Sequence, residues 1–250
     1  MTNKHLVFFL FMLPGSGLMA QHYHYAPNAL NISTLKQKGD LEISAGWSRG
    51  LSFQALELGS AYSVHRHIAL MANYFGAGNK NVRNGEEIGT NFHFWEIGAG
   101  AYESFPKGSA SLFAGYGYGS LLNHYGPNLD ANLDLQRWFI QPGISYKSEH
   151  FHAGLAVRLS RINYRKGQVA FSIEPQYLQY IRNIESEAPL LLPEIGLQAG
   201  LVIRFITVNF GLAAIFPNTD PYKFARVGTT MSLSANFGTM KKGKTTEKTD

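Results

Sequence analysis

The chain has 250 residues, 22 Lys and Arg against 17 Asp and Glu, and no cysteine. The lack of thiols excludes disulfides, thiolate metal sites and thiol nucleophiles, and no basic patch with interleaved aromatics supports nucleic-acid binding. With 26 glycines, 13% aromatic and only 16% charged residues, the composition is unusual for a soluble enzyme and suits strands that face lipid on one side.

The first predicted element is a secretory signal over residues 1–20. Lys4 and His5 precede an apolar core from Leu6 to Leu13, and small or apolar residues lead to a cleavage point after Ala20; the core is too short to span a bilayer. Residues 21–40 follow as a periplasmic N-terminal segment, in which His22 and His24 read as a polar end rather than a metal site. No cysteine after the cleavage point offers a lipid-anchoring site. No later stretch has the roughly 18 consecutive apolar residues of a transmembrane helix, so any membrane entry must use strands.

From Leu41 the period is two, which sends alternate side chains to opposite faces of a sheet. Leu41, Ile43, Ala45 and Trp47 share one parity; Glu42, Ser44, Gly46 and Ser48 share the other. The pattern recurs with Leu56, Leu58, Tyr62 and Val64, then Ile68, Leu70, Ala72 and Tyr74, then Trp95, Ile97, Ala99 and Ala101. Leu112, Ala114, Tyr116 and Tyr118 oppose Gly115, Gly117 and Gly119, and Trp138, Ile140, Ile144 and Tyr146 form a sixth set. Phe151, Ala153, Leu155, Val157 and Leu159 form a seventh, and Ile195 to Ile203 an eighth opposite Glu194, Gly196, Gln198, Gly200 and Arg204. Val208 to Ala214 and Val227 to Phe237 complete the series. The predicted fold is all-β, an antiparallel transmembrane barrel of about ten strands over residues 41–237, with twelve or eight as alternatives and a disordered basic tail over residues 238–250. A soluble sandwich would carry charge on its outward face and apolar residues inside. Here the charges share their face with glycine and serine, as a wall between lipid and a polar interior requires.

Four short connections, near residues 64–67, 105–108, 147–150 and 204–207, alternate with long ones at 77–90, 123–135, 163–189 and 217–225. That asymmetry assigns the short turns to the periplasm and the long loops to the outside. Trp47, Trp95 and Trp138 then fall at the outer rim as half of an aromatic girdle, with Tyr62, Tyr146, Phe151 and Phe205 as the other half. The stretch 163–189, with Val169, Phe171 and Ile173 in alternation, is the source of the twelve-strand alternative.

Asn28-Ala29-Leu30-Asn31, the Lys38-Gly39-Asp40 lead into the first strand and the turn Tyr62-Ser63-Val64-His65-Arg66-His67 resemble segments of small outer-membrane barrels of Gram-negative bacteria, above all uncharacterised barrel proteins of Bacteroidetes-type bacteria. The final strand, with Arg226, Gly228, Met231 and Leu233 leading to Phe237, looks like the signal read by the barrel-assembly machinery, although the chain continues past Phe237. The resemblance implies an outer-membrane location and a barrel, and no reaction.

Inward parity collects Glu42, Glu57, Glu96 and Glu194 with Arg137, Lys147, Arg158 and Arg204. In so narrow a barrel such charges must pair, and they are expected to form a polar plug. Catalysis would need a histidine beside a nucleophile or carboxylate. His93 and His124 are the histidines near the outer rim, and His93 has the opposite parity to Glu96; His65, His67, His150 and His152 are expected to be solvated near the turns. No catalytic residue, metal ligand or cofactor is assigned. The expected partners are outer-membrane lipid, the assembly machinery and an unknown extracellular ligand. The leading function is non-enzymatic, envelope-structural or adhesive through the loops, with a narrow solute channel and a lipid-modifying enzyme as alternatives.

Overall fold

The computed structural model describes residues 25–50, 53–83, 86–125, 130–169, 189–217 and 225–238. The predicted signal, His22 and His24, the basic tail after Gly238 and most of 163–189 lie outside the described residues.

Ten strands close into one antiparallel barrel: β1 Leu41–Gly50, β2 Gln54–His65, β3 Ile68–Arg83, β4 Glu86–Phe105, β5 Gly108–His124, β6 Asp130–Lys147, β7 Phe151–Val169, β8 Leu190–Ile203, β9 Ile206–Ile215 and β10 Val227–Phe237. Each strand pairs with its chain neighbours, and β1 pairs with β10 from Leu41 opposite Phe237 to Gly50 opposite Gly228. Closure leaves no open sheet edge in the body of the barrel. The four predicted short turns occur, at Arg66–His67, Pro106–Lys107, Ser148–His150 and Arg204–Phe205; we call this the turn end and the opposite one the loop end.

Several stretches expected as loops are strand. Residues 77–83 and 86–90 extend β3 and β4, paired down to Arg83 opposite Glu86, and β5 and β6 are paired up to His124 opposite Asp130. The period of two persists there, but its polarity reverses. Along β6 the outward residues run Tyr146, Ile144, Pro142, Ile140 and Trp138, then change to Gln136, Asp134, Asn132 and Asp130, while the inward Leu135, Leu133 and Ala131 are fully buried. On β7 Leu159 gives way to Arg161, Asn163 and Arg165 outside, with Ile162 and Tyr164 buried inside. The apolar outward belt is therefore bounded. From Trp138 to Tyr146 it is about 20 Å high, taking ~3.3 Å per residue and a tilt near 40°.

The loop-end interior is an apolar cluster that includes Phe53, Phe75, Phe92, Phe94, Leu121, Leu133, Leu135, Ile162 and Tyr164. A second cluster near the turn end joins Leu35, Ala61, Ala69, Met71, Tyr102, Phe113 and Phe139. The buried charges of Glu96, Arg137, Arg158 and Glu194 lie between the two.

Candidate functional site

Inside the barrel lies a strap, residues 25–40, where sequence reading places a segment outside it. Tyr25 packs with the loop-end cluster and its carbonyl accepts from the Ala225 N–H at 3.0 Å, whereas Asp40 reaches the turn end, where its carbonyl accepts from Ser63 N–H at 2.9 Å. The strap thus runs the length of the lumen. Beyond the single bridge at Tyr25 the strap joins no strand and must satisfy its backbone in other ways, and inward side chains do so. Ala29 N–H donates to Glu57 Oε2 at 2.9 Å and Thr34 N–H to Glu42 Oε2 at 3.0 Å. The Asn31 carbonyl accepts from Gln141 Nε2 at 2.8 Å, and the Ser33 carbonyl from the hydroxyls of Ser109 and Ser145 at 3.1 and 3.0 Å. At the turn end Asp40 Oδ2 accepts from the N–H groups of Lys36 and Gln37 at 2.8 and 3.0 Å, after Gly39 takes φ +87°.

Inward glycine makes room for the strap. A Cβ on Gly154 would lie 2.3 Å from Ile32 Cγ2, and one on Gly196 would lie 3.1 Å from Leu30 Cβ. Leu30 and Ile32 fill this space together with Ala156 and Ala213.

Mid-barrel, four strands each contribute one charge. Arg137 from β6 and Arg158 from β7 face Glu96 from β4 and Glu194 from β8, all within 2% of complete burial. Arg137 Nη2 lies 2.6 Å from Glu96 Oε2, and Arg158 grips Glu194 through Nε at 2.9 Å and Nη2 at 2.6 Å. Arg158 Nη1 bridges to Glu96 at 3.4 Å, and Arg137 Nη1 stands 3.7 Å from Glu194 Oε1. The strap completes this quartet. Asn28 Oδ1 accepts from Arg158 at 2.8 Å and Arg137 at 3.1 Å, while its Nδ2 donates to Glu96 at 2.6 Å. The Tyr25 hydroxyl accepts from Arg137 and donates to Glu194 at 3.1 Å. Ser160 donates to Glu194 Oε1 at 2.6 Å, and the Arg137 guanidinium lies 4.4 Å above the Phe94 ring. Two positive and two negative charges cancel, and the bidentate geometry of Arg158 on Glu194 makes that pair strong.

Of the other residues assigned inward, Glu57 is buried, accepting from Ser48 and Ala29, and Glu42 and Lys147 are half-buried at the turn end. Arg204 is corrected: it is exposed, at the first position of the two-residue β8–β9 turn with φ +59°. The alternation of β8 stops at Ile203, so parity no longer places the next side chain. His152 is a second correction, being buried with Nδ1 3.0 Å from Asn209 Oδ1. The seven girdle residues all point outward. Trp47, Trp95 and Trp138 are 56%, 62% and 57% exposed, and Tyr62, Tyr146, Phe151 and Phe205 line the turn end. Trp95 packs on Tyr74 at 4.4 Å and Trp138 on Tyr116 at 4.8 Å between ring centroids. His93 is also outward, beside the Tyr74 hydroxyl at 2.9 Å, and His124 pairs with Asp130. Among the described residues no group of three His, Asp or Glu could hold a metal ion.

Sequence reading missed Tyr25, Asn28 and Asn31 as lumen residues. The available signal was the Asn28-Ala29-Leu30-Asn31 run together with inward glycine on β7 and β8, more open space than a lumen filled by side chains alone needs. The chain matches no family model and no curated protein.

Proposed function

We propose that this chain is an integral outer-membrane barrel protein of a Gram-negative bacterium with a self-plugged lumen, serving an envelope-structural or surface-binding role through its loop end and catalysing no reaction. The observation that carries this reading is the bounded apolar belt. An outward face that is apolar between tryptophans and an aromatic turn-end ring, then polar beyond, matches a lipid layer, because closure pairs the backbone while the belt meets acyl chains. The resemblance of the turn and final-strand motifs to small outer-membrane barrels supports the same location. Its partners are then outer-membrane lipid and the assembly machinery that reads the last strand, with an extracellular ligand at the loops. The neutral quartet and the strap support a lock over a pore.

Fractionation with a heat-shift gel tests this. The native chain is expected in the outer membrane, migrating differently before and after boiling; a soluble periplasmic chain with no shift would overturn the reading. In a planar bilayer the full chain is expected to give no single-channel steps.

A further inference from the structure

The strap does not fill the lumen evenly. Between its residues 28–32 and the wall of β8, β9, β10, β1, β2 and β3 lies a crevice of about 70 Å³, room for roughly five to seven waters at 10–15 Å³ each. Its wall is built from small residues, among them Ser44, Gly46, Gly59, Gly211 and Ser232, which point inward yet keep partial solvent exposure well inside the barrel. On the opposite wall Arg137, Arg158, Phe113 and Gln141 are fully buried.

The chemistry of the crevice is one-sided. Glu42 and Glu57 line it, and no Lys, Arg or His does. None of the ion pairs among the described residues includes Glu57, although the side chain is buried. Its neighbours Ala29 and Ser48 supply dipoles and no charge. The four-charge cluster beside it is already neutral, so among the described residues the Glu57 carboxylate has no ion-pair partner of its own, which is costly for a buried ion. A second observation is independent of the carboxylates. Asn73, 8% exposed, lines the crevice with Nδ2 lacking any hydrogen-bond partner, while its Oδ1 accepts from Asn31 Nδ2 at 3.3 Å. An unpaired buried donor beside a crevice calls for an acceptor oxygen, which a water held there supplies.

We propose that this crevice binds a small hydrated monovalent cation, drawn in past Glu42 from the turn end and held at Glu57, its waters donating to the serine hydroxyls of the wall while Asn73 Nδ2 donates to an outer water. Phe53 closes the loop end: its ring would be 2.2 Å from a Cβ on Gly50 and 3.2 Å from one on Gly228. The crevice is thus a blind site, compatible with a non-conducting barrel, and it depends on the lumen geometry alone.

The chain has no cysteine, so single cysteines report cleanly. Ser44→Cys and Ser232→Cys would be placed in the crevice, Gln141→Cys on the filled wall and Glu149→Cys on the exposed turn. Each is treated in detergent micelles with a cationic aminoethyl and an anionic sulfonatoethyl methanethiosulfonate. Normalised to Glu149→Cys, the crevice cysteines are expected to favour the cationic reagent by about tenfold or more, the scale on which a charged cleft concentrates counter-ions, and Gln141→Cys is expected to resist both. Potassium or rubidium chloride should protect the crevice cysteines, more than choline chloride at equal ionic strength. Glu57→Gln should abolish preference and protection, with Glu42→Gln as a second variant should Glu57→Gln not refold. Failure of both reagents to enter, equal rates with the two, or equal protection by choline each overturns the cation site, and none of these outcomes bears on membrane location.

Discussion

Two sectors of the barrel solve the same problem of a polar interior in opposite ways. Strands β3 to β7, of 16 to 20 residues, fill the lumen with large side chains and supply both arginines, which face Glu96 of β4 and Glu194 of the adjoining β8. Strands β8 to β10 with β1 and β2, of 10 to 14 residues, present glycine and serine at mid-barrel and leave space to the strap and the crevice. The tall sector is held by pairing inside the wall, the short one by a segment from outside the sheet. Burial of charge is thus tolerated where partners are complete, and open space is kept where they are not.

The most drastic way to break this contrast is to remove the strap. Deleting residues 21–36 strips Asn28 and Tyr25 from the quartet and bares the glycine wall; stepwise conductance in a planar bilayer is expected, absent from the full chain. A deletion variant that folds and stays silent would mean that side chains alone seal the lumen. Next, Arg158→Ala leaves Glu194 and Glu96 with one arginine between them. The expected cost is about 3–5 kcal/mol, the usual range for breaking a buried pair, read as a lower urea midpoint. Asn28→Ala, which removes hydrogen bonds to charged groups, is expected to cost about 1.5–3 kcal/mol.

Glycine substitutions sharpen the comparison directly. In the tall sector a Cβ on Gly115 would lie 2.3 Å from the Ile97 carbonyl and 2.4 Å from Phe139, whereas on Gly211 the nearest atom is at 3.6 Å. Gly115→Ala is expected to destabilise by about 1–3 kcal/mol as overpacking does, and Gly211→Ala to leave the unfolding midpoint unchanged. A similar cost at both positions would show the sectors to be equally packed. The smallest effect is expected at the turn end. Arg204→Gly relieves a non-glycine residue held at φ +59° and should stabilise by about 1 kcal/mol.

Much of the barrel was legible because period two is a local property. Parity alone put Trp47, Trp95 and Trp138 outside and Glu57, Glu96, Arg137, Arg158 and Glu194 inside, and it counted ten strands from residues a few positions apart. It misread Arg204, where the strand ends and the turn reorients the side chain. It also took the polar outward residues of β3 to β7 beyond Tyr74 and Trp138 for loops, since a strand whose polarity reverses keeps its period but loses the apolar face being followed.

The sequence by itself determined the alternation, the strand number and the sign of each face, because these follow from backbone geometry and side-chain type. Tertiary structure alone decided that the strap enters the lumen, that Asn28 and Tyr25 join charges more than 60 residues away, and that the spare volume gathers on one wall. Those outcomes depend on closure. Only when β1 meets β10 do the inward faces enclose a space, and its shape then selects which segment fills it and what remains open.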